Sequence, residues 1–148
     1  YTRNKIRNIV IPYIKKEFNP NIFKTINRLS EVVIQENEYL NKITKKIFKE
    51  ILIVNTAKGK SFLEDNIQTK TNQIIIDLKK FNELELVIKR RIILYIVNEL
   101  LSSTKGMEKI NIDDIIKLCK NNIGNKYLMP TKKLKVSLKK GKIFFDAM

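Results

Sequence analysis

Apolar residues recur at Ile22, Ile26, Leu29, Val33, Leu40, Ile43, Ile47, Ile51 and Val54, three or four apart, with Glu36 the one polar member of the series. Such spacing lines these side chains along a narrow stripe on one helical face. It predicts one long helix, or two in line, over residues 20–56, stopped by Gly59. A stripe this narrow has to meet other helices, in the same chain or in a partner subunit. Packing within the chain is the default, because later segments offer apolar faces of their own. With 148 residues, 43% of them hydrophobic, one compact domain with a packed core is expected, or one helical domain with a small appendage.

Ahead of the stripe, Ile6, Ile9, Val10, Tyr13 and Ile14 form a second helical face, interrupted by Pro12, which has no N–H to donate. This predicts a kink, or a short helix followed by another with Pro12 in its first turn. Asn19-Pro20 reads as the next boundary, with Asn19 as N-cap. Beyond the stripe, residues 57–72 are polar and read as a loop, "NQIIIDL" is a short β-rich run, and Asp77 is suited to capping a helical turn. "LELVIKRRIILYIVNELL" is a helix that is apolar nearly all round except at Lys89, Arg90, Arg91, Asn98 and Glu99, so it belongs at the centre of a bundle. Lys105-Gly106 ends it. Asn111 with Asp114 resembles a capping box for a helix through Cys119 that closes near Gly124. The period then changes. Leu134, Val136 and Leu138 alternate with polar residues, "KKGK" turns, and Ile143 and Phe145 alternate back, which makes a β-hairpin. The expected fold is mainly α, a helical bundle with one long helix or two in line plus a short C-terminal β-hairpin. Its expected divisions are a junction helix over 1–20, a helical domain over 20–124 and a small basic hairpin over 125–148.

Charge narrows the function. The chain has 30 Lys and Arg against 15 Asp and Glu, a net +15. Residues 1–16 carry Arg3, Lys5, Arg7, Lys15 and Lys16 without an acid, and residues 117–142 carry nine lysines without one. Two acid-free ends read as a polyanion footprint, since each neutralised phosphate releases counterions; a coding bias toward Lys, Ile and Asn would also raise the lysine count. One cysteine and no histidine exclude a disulfide framework, the usual His/Cys metal centres and His-dependent triads. Cys119 reads as a buried structural thiol. "KGKS" at Lys58–Ser61 is no phosphate loop, because Val54 stands where its first glycine is required. Asp113 and Asp114 read as capping residues, and Glu64 and Asp65 as solvated loop residues. No catalytic residue and no metal ligand is assigned. No apolar run approaches the length of a membrane span and the start lacks signal-peptide architecture, so a cytoplasmic protein without a membrane partner is expected.

The opening cluster is the candidate site. Arg3 and Arg7 are four apart and share a helical face, with Asn4 beside them. Two guanidinium groups near a helix start suit a phosphate clamp, and they suit a pair of solvated surface arginines equally well. A resemblance favours the clamp. "YTRNKIRNIVIPYIKKEFNPNI" resembles the segment that follows the nucleotide-binding domain in bacterial tRNA(Ile)-lysidine synthetases, matching at Tyr1, Arg3, Asn4, Ile6, Arg7, Pro12, Phe18, Asn19, Pro20 and Asn21. "RLSEVVIQENEYL", "LELVIKRRIIL" with its paired Arg90 and Arg91, and "LMPTKKLKVSLKKGKIFF" are similar to later segments of that family in the same order.

The resemblance implies a parent enzyme that ligates lysine to the wobble cytidine of a tRNA(Ile) with a CAU anticodon, using ATP to adenylate the base. That chemistry belongs to a PP-loop domain with a Ser-Gly-Gly-x-Asp-Ser signature, which is absent from this sequence. The chain is therefore expected to bind tRNA(Ile) without catalysing. ATP and magnesium serve the parent enzyme, none is bound by this fragment, and lysine and ATP enter through the missing N-terminal domain. The family's small C-terminal RNA-binding module is also expected to be missing. Arg3, Asn4 and Arg7 would line the catalytic cleft, holding phosphate of ATP or of the anticodon loop. Lys132, Lys133, Lys135, Lys139, Lys140 and Lys142 would bind the tRNA backbone without base selectivity. A homodimer stays open. Two alternatives do too. One is a stand-alone basic helical nucleic-acid-binding protein using residues 112–122, whose Lys117, Lys120, Asn121 and Asn122 lack arginine for guanine contacts. The other is a structural module that dimerises through its long helix.

Overall fold

Residues 1–57, 72–122 and 126–148 are described in a computed structural model of the chain. Residues 58–71 of the loop predicted over 57–72, with Lys58–Ser61, Glu64 and Asp65, and the helix stops at Gly59 and Gly124 lie outside the described residues. The chain divides into two units, Tyr1–Leu40 and Asn41–Met148.

The first unit opens with α1 (Thr2–Lys5), a π-helical turn (Ile6–Val10) and α2 (Ile11–Glu17). Pro12 cannot donate a hydrogen bond and its ring crowds the preceding turn. The ladder widens upstream, so that the Ile11 N–H reaches back five residues to the Ile6 carbonyl. Ile6, Val10 and Ile11 all keep right-handed helical dihedrals. Pro12 therefore falls in the first turn of α2, as one of the two expected forms had it. After Phe18, the Asn19 side chain accepts the Asn21 N–H at 2.8 Å. Asn21, rather than Asn19, gives the carbonyl of the first helical bond, to Thr25 N–H at 3.1 Å, so α3 starts two residues later than expected.

α3 (Ile22–Ile51) is one helix of 30 residues. Its stripe behaves differently in the two units. In the first, Ile26 is 51% exposed, Leu29 64% and Val33 51%. In the second, Thr44, Phe48 and Ile51 are buried, flanked by half-buried Ile43 and Ile47. The stripe also ends earlier than its spacing suggests. "LIVN" is β1 (Leu52–Asn55), because its branched residues pack better on a pleated sheet than in a further helical turn.

The second unit corrects the expected lone hairpin. β1 joins β2 (Gln73–Asp77), β3 (Tyr127–Thr131), β4 (Leu134–Lys139) and β5 (Lys142–Ala147) in a five-stranded antiparallel sheet of order β1-β2-β5-β4-β3. A two-stranded hairpin is marginal alone. β5 finds its second neighbour in β2, with Gln73 opposite Asp146 and Asp77 opposite Lys142. The β4–β5 turn is as expected: Lys140 and Gly141 have φ of 49° and 71°, the two positive values of a type I′ turn.

Helices cover one face of the sheet. Asp77 Oδ1 accepts the Lys80 N–H at 2.8 Å and starts the short α4 (Leu78–Asn82). α5 (Leu86–Leu101) packs on β2 and β5, and α6 (Lys109–Asn121) on β3 and β4. Ile88, Ile92, Ile93, Ile96, Val97 and Leu100 are buried where α5 packs on β2 and β5, whose Ile74, Ile76, Ile143 and Phe145 are buried too, so α5 is central as expected. It ends at Ser102 in a left-handed conformation, with its N–H on the Asn98 carbonyl at 2.9 Å, and not at Lys105-Gly106. α6 begins earlier than expected. The Glu108 N–H donates to Asn111 Oδ1 at 2.9 Å, making Asn111 the third residue of the helix instead of its cap. Asn111 Nδ2 also donates to the Pro130 carbonyl at 3.3 Å, tying α6 to β3.

This burial pattern predicts two contrasting truncations. Ile96→Ala, at a fully buried site, should lower unfolding free energy by about 2–5 kcal/mol in a urea titration. Ile26→Ala, on the uncovered stripe, should change it by less than about 0.5 kcal/mol.

Candidate nucleic-acid interface

The face of the sheet opposite α5 and α6 is built in rows by the register. The middle row runs Tyr127–Ser137–Phe144–Ile75 across β3, β4, β5 and β2. Lys139, Lys142 and Asp77 form the row on one side, and Lys135, Asp146 and Gln73 the row on the other. Ile75 is buried, whereas Tyr127 is 59% exposed and Ser137 and Phe144 are half-buried, so this face is open toward β3. The Lys135 ammonium lies 4.7 Å from the centre of the Tyr127 ring, a cation–π contact. Both acids on the face are engaged: Asp146 accepts from Gln73 Nε2, and Asp77 caps α4.

The six candidate lysines fall into groups. Lys132 and Lys133 lie in the exposed β3–β4 turn, and Lys139, Lys140 and Lys142 cluster at the β4–β5 turn. Five residues of strand lie between the two ends, which are about 20 Å apart. Lys135 sits between them on the open face. They therefore line the length of the hairpin without forming one spot. Tyr127, Ser137 and Phe144 were not picked out by the sequence reading. Their alternation with the buried positions was visible, but their lateral alignment depends on register.

In the first unit, Arg3 and Arg7 with Ile6 and Ile11 line an open hollow of about 500 Å³. Asn4 is exposed and is not among the lining residues. The arginine pair of α5 is occupied elsewhere. Arg90 makes a two-pronged bond to Asp113 Oδ1, 2.9 Å from Nη2 and 3.2 Å from Nε, and Arg91 Nη1 donates to Asn41 Oδ1 at 2.9 Å. Asp113 is thus an ion-pair partner and not the capping residue expected of it. Asp114 does not cap either; it pairs with Lys117 one helical turn on, at 3.6 Å. On α6, Lys117, Lys120, Asn121 and Asn122 are exposed and Ile112, Ile115, Leu118 and Cys119 are buried.

Cys119 is fully enclosed, and burial pushes its thiol up to about 12, only partly offset by the Lys89 charge. A thiol held protonated is a poor nucleophile, which fits the structural role expected of it.

An antiparallel sheet backed by helices on one face, with lysines and aromatic rings on the other, defines a small basic α+β unit. No protein-family model matches the chain. Curated proteins do. The chain is 37% identical over 130 residues to the tRNA(Ile)-lysidine synthase of Clostridium acetobutylicum, covering 88% of this chain and 25% of that protein. It is 33% identical over 143 residues to the tRNA(Ile)-lysidine synthase of Clostridioides difficile, covering 97% and 28%. It is 30% identical over 132 residues to the chloroplastic tRNA(Ile)-lysidine synthase of Staurastrum punctulatum, covering 78% and 26%. The chain spans about a quarter of the length of the curated relatives it matches. As a segment of that length, it belongs to the tRNA(Ile)-lysidine synthase family.

The Cys119 environment predicts an alkaline signature. Between its ordinary 9.0 and the folded value of about 12, the native chain keeps a proton that the unfolded chain releases. The thiol's contribution to stability is therefore lost as pH rises through that window. Denaturant titrations from pH 8 to 11 should show the stability of wild type falling relative to Cys119→Val. A pH-independent difference between the two would contradict the assignment.

Proposed function

We propose that this chain is the tRNA-engaging part of a tRNA(Ile)-lysidine synthase, one that ligates lysine to the wobble cytidine of tRNA(Ile) with a CAU anticodon. The observation that carries this reading is the lysine-lined hairpin, found in a chain homologous to enzymes whose names specify tRNA(Ile). Lys132, Lys133, Lys135, Lys139, Lys140 and Lys142 contact successive phosphates along the hairpin. They supply affinity and orientation, and leave the choice of base to other contacts. Arg3 and Arg7 hold a phosphate group of ATP or of the anticodon loop over their apolar hollow, with Asn4 alongside. No helix among the described residues is long and apolar enough to cross a membrane, which fits a cytoplasmic RNA-modifying enzyme.

ATP and magnesium belong to the parent enzyme. Among the described residues, no group of three or more His, Cys, Asp or Glu side chains could hold a metal ion. No adenylation step is assigned to the described residues, and in this reading lysine and ATP act through a part of the parent outside this segment. A second reading, dimerisation through α3, is favoured by the exposed Ile26, Leu29 and Val33; sedimentation of the chain alone tests it, with a tight dimer lacking RNA affinity as its supporting result.

Two measurements test the main reading. Filter binding of the 148-residue chain to tRNA(Ile) should weaken steeply with salt. Six phosphate contacts give a log–log slope of about −4 to −5, and Lys139→Glu with Lys142→Glu should flatten it. Salt-independent binding would count against the hairpin as the contact surface. In a full-length enzyme carrying this segment, Arg3→Ala should cut lysidine formation by about tenfold or more, the loss of a charge-assisted bond. Unchanged formation removes the clamp assignment.

A further inference from the structure

We infer that the row Tyr127–Ser137–Phe144 is a stacking seat for a single unpaired RNA base, with the flanking lysines taking the phosphates on either side of that nucleotide. The inference deepens the tRNA-binding reading and rests on it.

The register carries the argument. Tyr127 is opposite Ser137, and Ser137 is opposite Phe144. The two aromatic residues therefore stand two strands apart, about 9.6 Å from backbone to backbone. The residue between them has one of the smallest side chains available. A flat ring system is about 3.4 Å thick, so the gap above Ser137 suits one planar base bracketed by the two rings. Tyr127 is 59% exposed on the edge strand β3 and offers an accessible ring face; Phe144 sits lower, half-buried beside Ile75, and forms the inner wall.

The charges are arranged for a backbone and not for an isolated ring. Lys139 and Lys142 face each other in the row on one side, and Lys135 lies in the row on the other. A nucleotide seated on the middle row has cations toward both of its phosphates. Lys135 rests over the Tyr127 ring at 4.7 Å and places a cation beside the seat, and Tyr127 is still 59% exposed. Aromatic residues on an open sheet face, flanked by basic ones, are a sequence-tolerant way to hold single-stranded RNA. A duplex keeps its bases stacked and paired, and meets only the lysines.

The test compares three probes on the 148-residue chain: a short single-stranded RNA, a blunt RNA duplex and heparin, a polyanion without bases. Tyr127→Ala should weaken the single strand about fivefold or more and leave duplex and heparin unchanged, while Tyr127→Phe retains wild-type affinity. A Tyr127→Trp chain should show its indole emission quenched by the single strand and not by heparin. This variant keeps the surface aromatic and reports on folding through its own spectrum. Equal losses on all three probes, or no loss on the single strand together with unquenched indole emission, would overturn the stacking seat. Lys139→Glu with Lys142→Glu should weaken all three probes together. If it weakens none, the lysine-lined hairpin itself fails, whatever Tyr127 does.

Discussion

The pairing of β5 with β2 is the joint on which the second unit depends. β5 comes from the end of the chain and β2 from its middle, and five residue pairs from Gln73↔Asp146 to Asp77↔Lys142 fuse them. Without that ladder the C-terminal hairpin would have a single partner strand on β4 and an open edge on β5. With it, Ile74 and Ile76 extend the buried face started by Phe145 and Ile143, and α5 has a continuous floor to pack on. The Gln73 side-chain amide also donates to Asp146, the one acid in the lysine-rich tail, so the joint adds a side-chain hydrogen bond to the backbone ladder.

Local signals in the sequence were reliable guides. The all-round apolar pattern of residues 84–101 identified the central helix, Asp77 its capping role, and Lys140-Gly141 the hairpin turn, because each is decided by neighbours within a few residues. The sheet was harder to read. Val54 sat in phase with the helical stripe, and only the branched run before it marked the change to β1. The isolated "IIID" run had no visible partner, since one, β1, was in phase with the helical stripe and the other, β5, lies about seventy residues away in the chain. Asn19 and Asn111 are both cap-forming residues, and both act away from the cap position, Asn19 by bonding to Asn21 two residues on and Asn111 by sitting at the third helical position.

The candidate sites divide the same way. Arg3 and Arg7 were found because four residues along a helix is a local spacing. The lysines were found by counting, but their separation into two ends of a hairpin needed strand length and turn positions. Tyr127 and Phe144 were out of reach of periodicity, because what relates them is lateral alignment across three strands. The arginines of α5 show the opposite error. Paired basic residues on a helix look available, yet Arg90 is committed to Asp113 and Arg91 to Asn41.

The π-helical turn over Ile6–Val10 acts as an angular shim. By admitting one extra residue between Pro12 and the first turn, it shifts the azimuth of everything upstream by about 100° relative to an uninterrupted α-helix. Removing a single residue from that turn would let it close as an ordinary α-turn with both guanidinium groups at about the same azimuth, whereas winding all five residues as α-helix would swing them by about 100°. The direction in which Arg3 and Arg7 point is thereby encoded in a hydrogen-bonding step size, with Pro12 holding the dial.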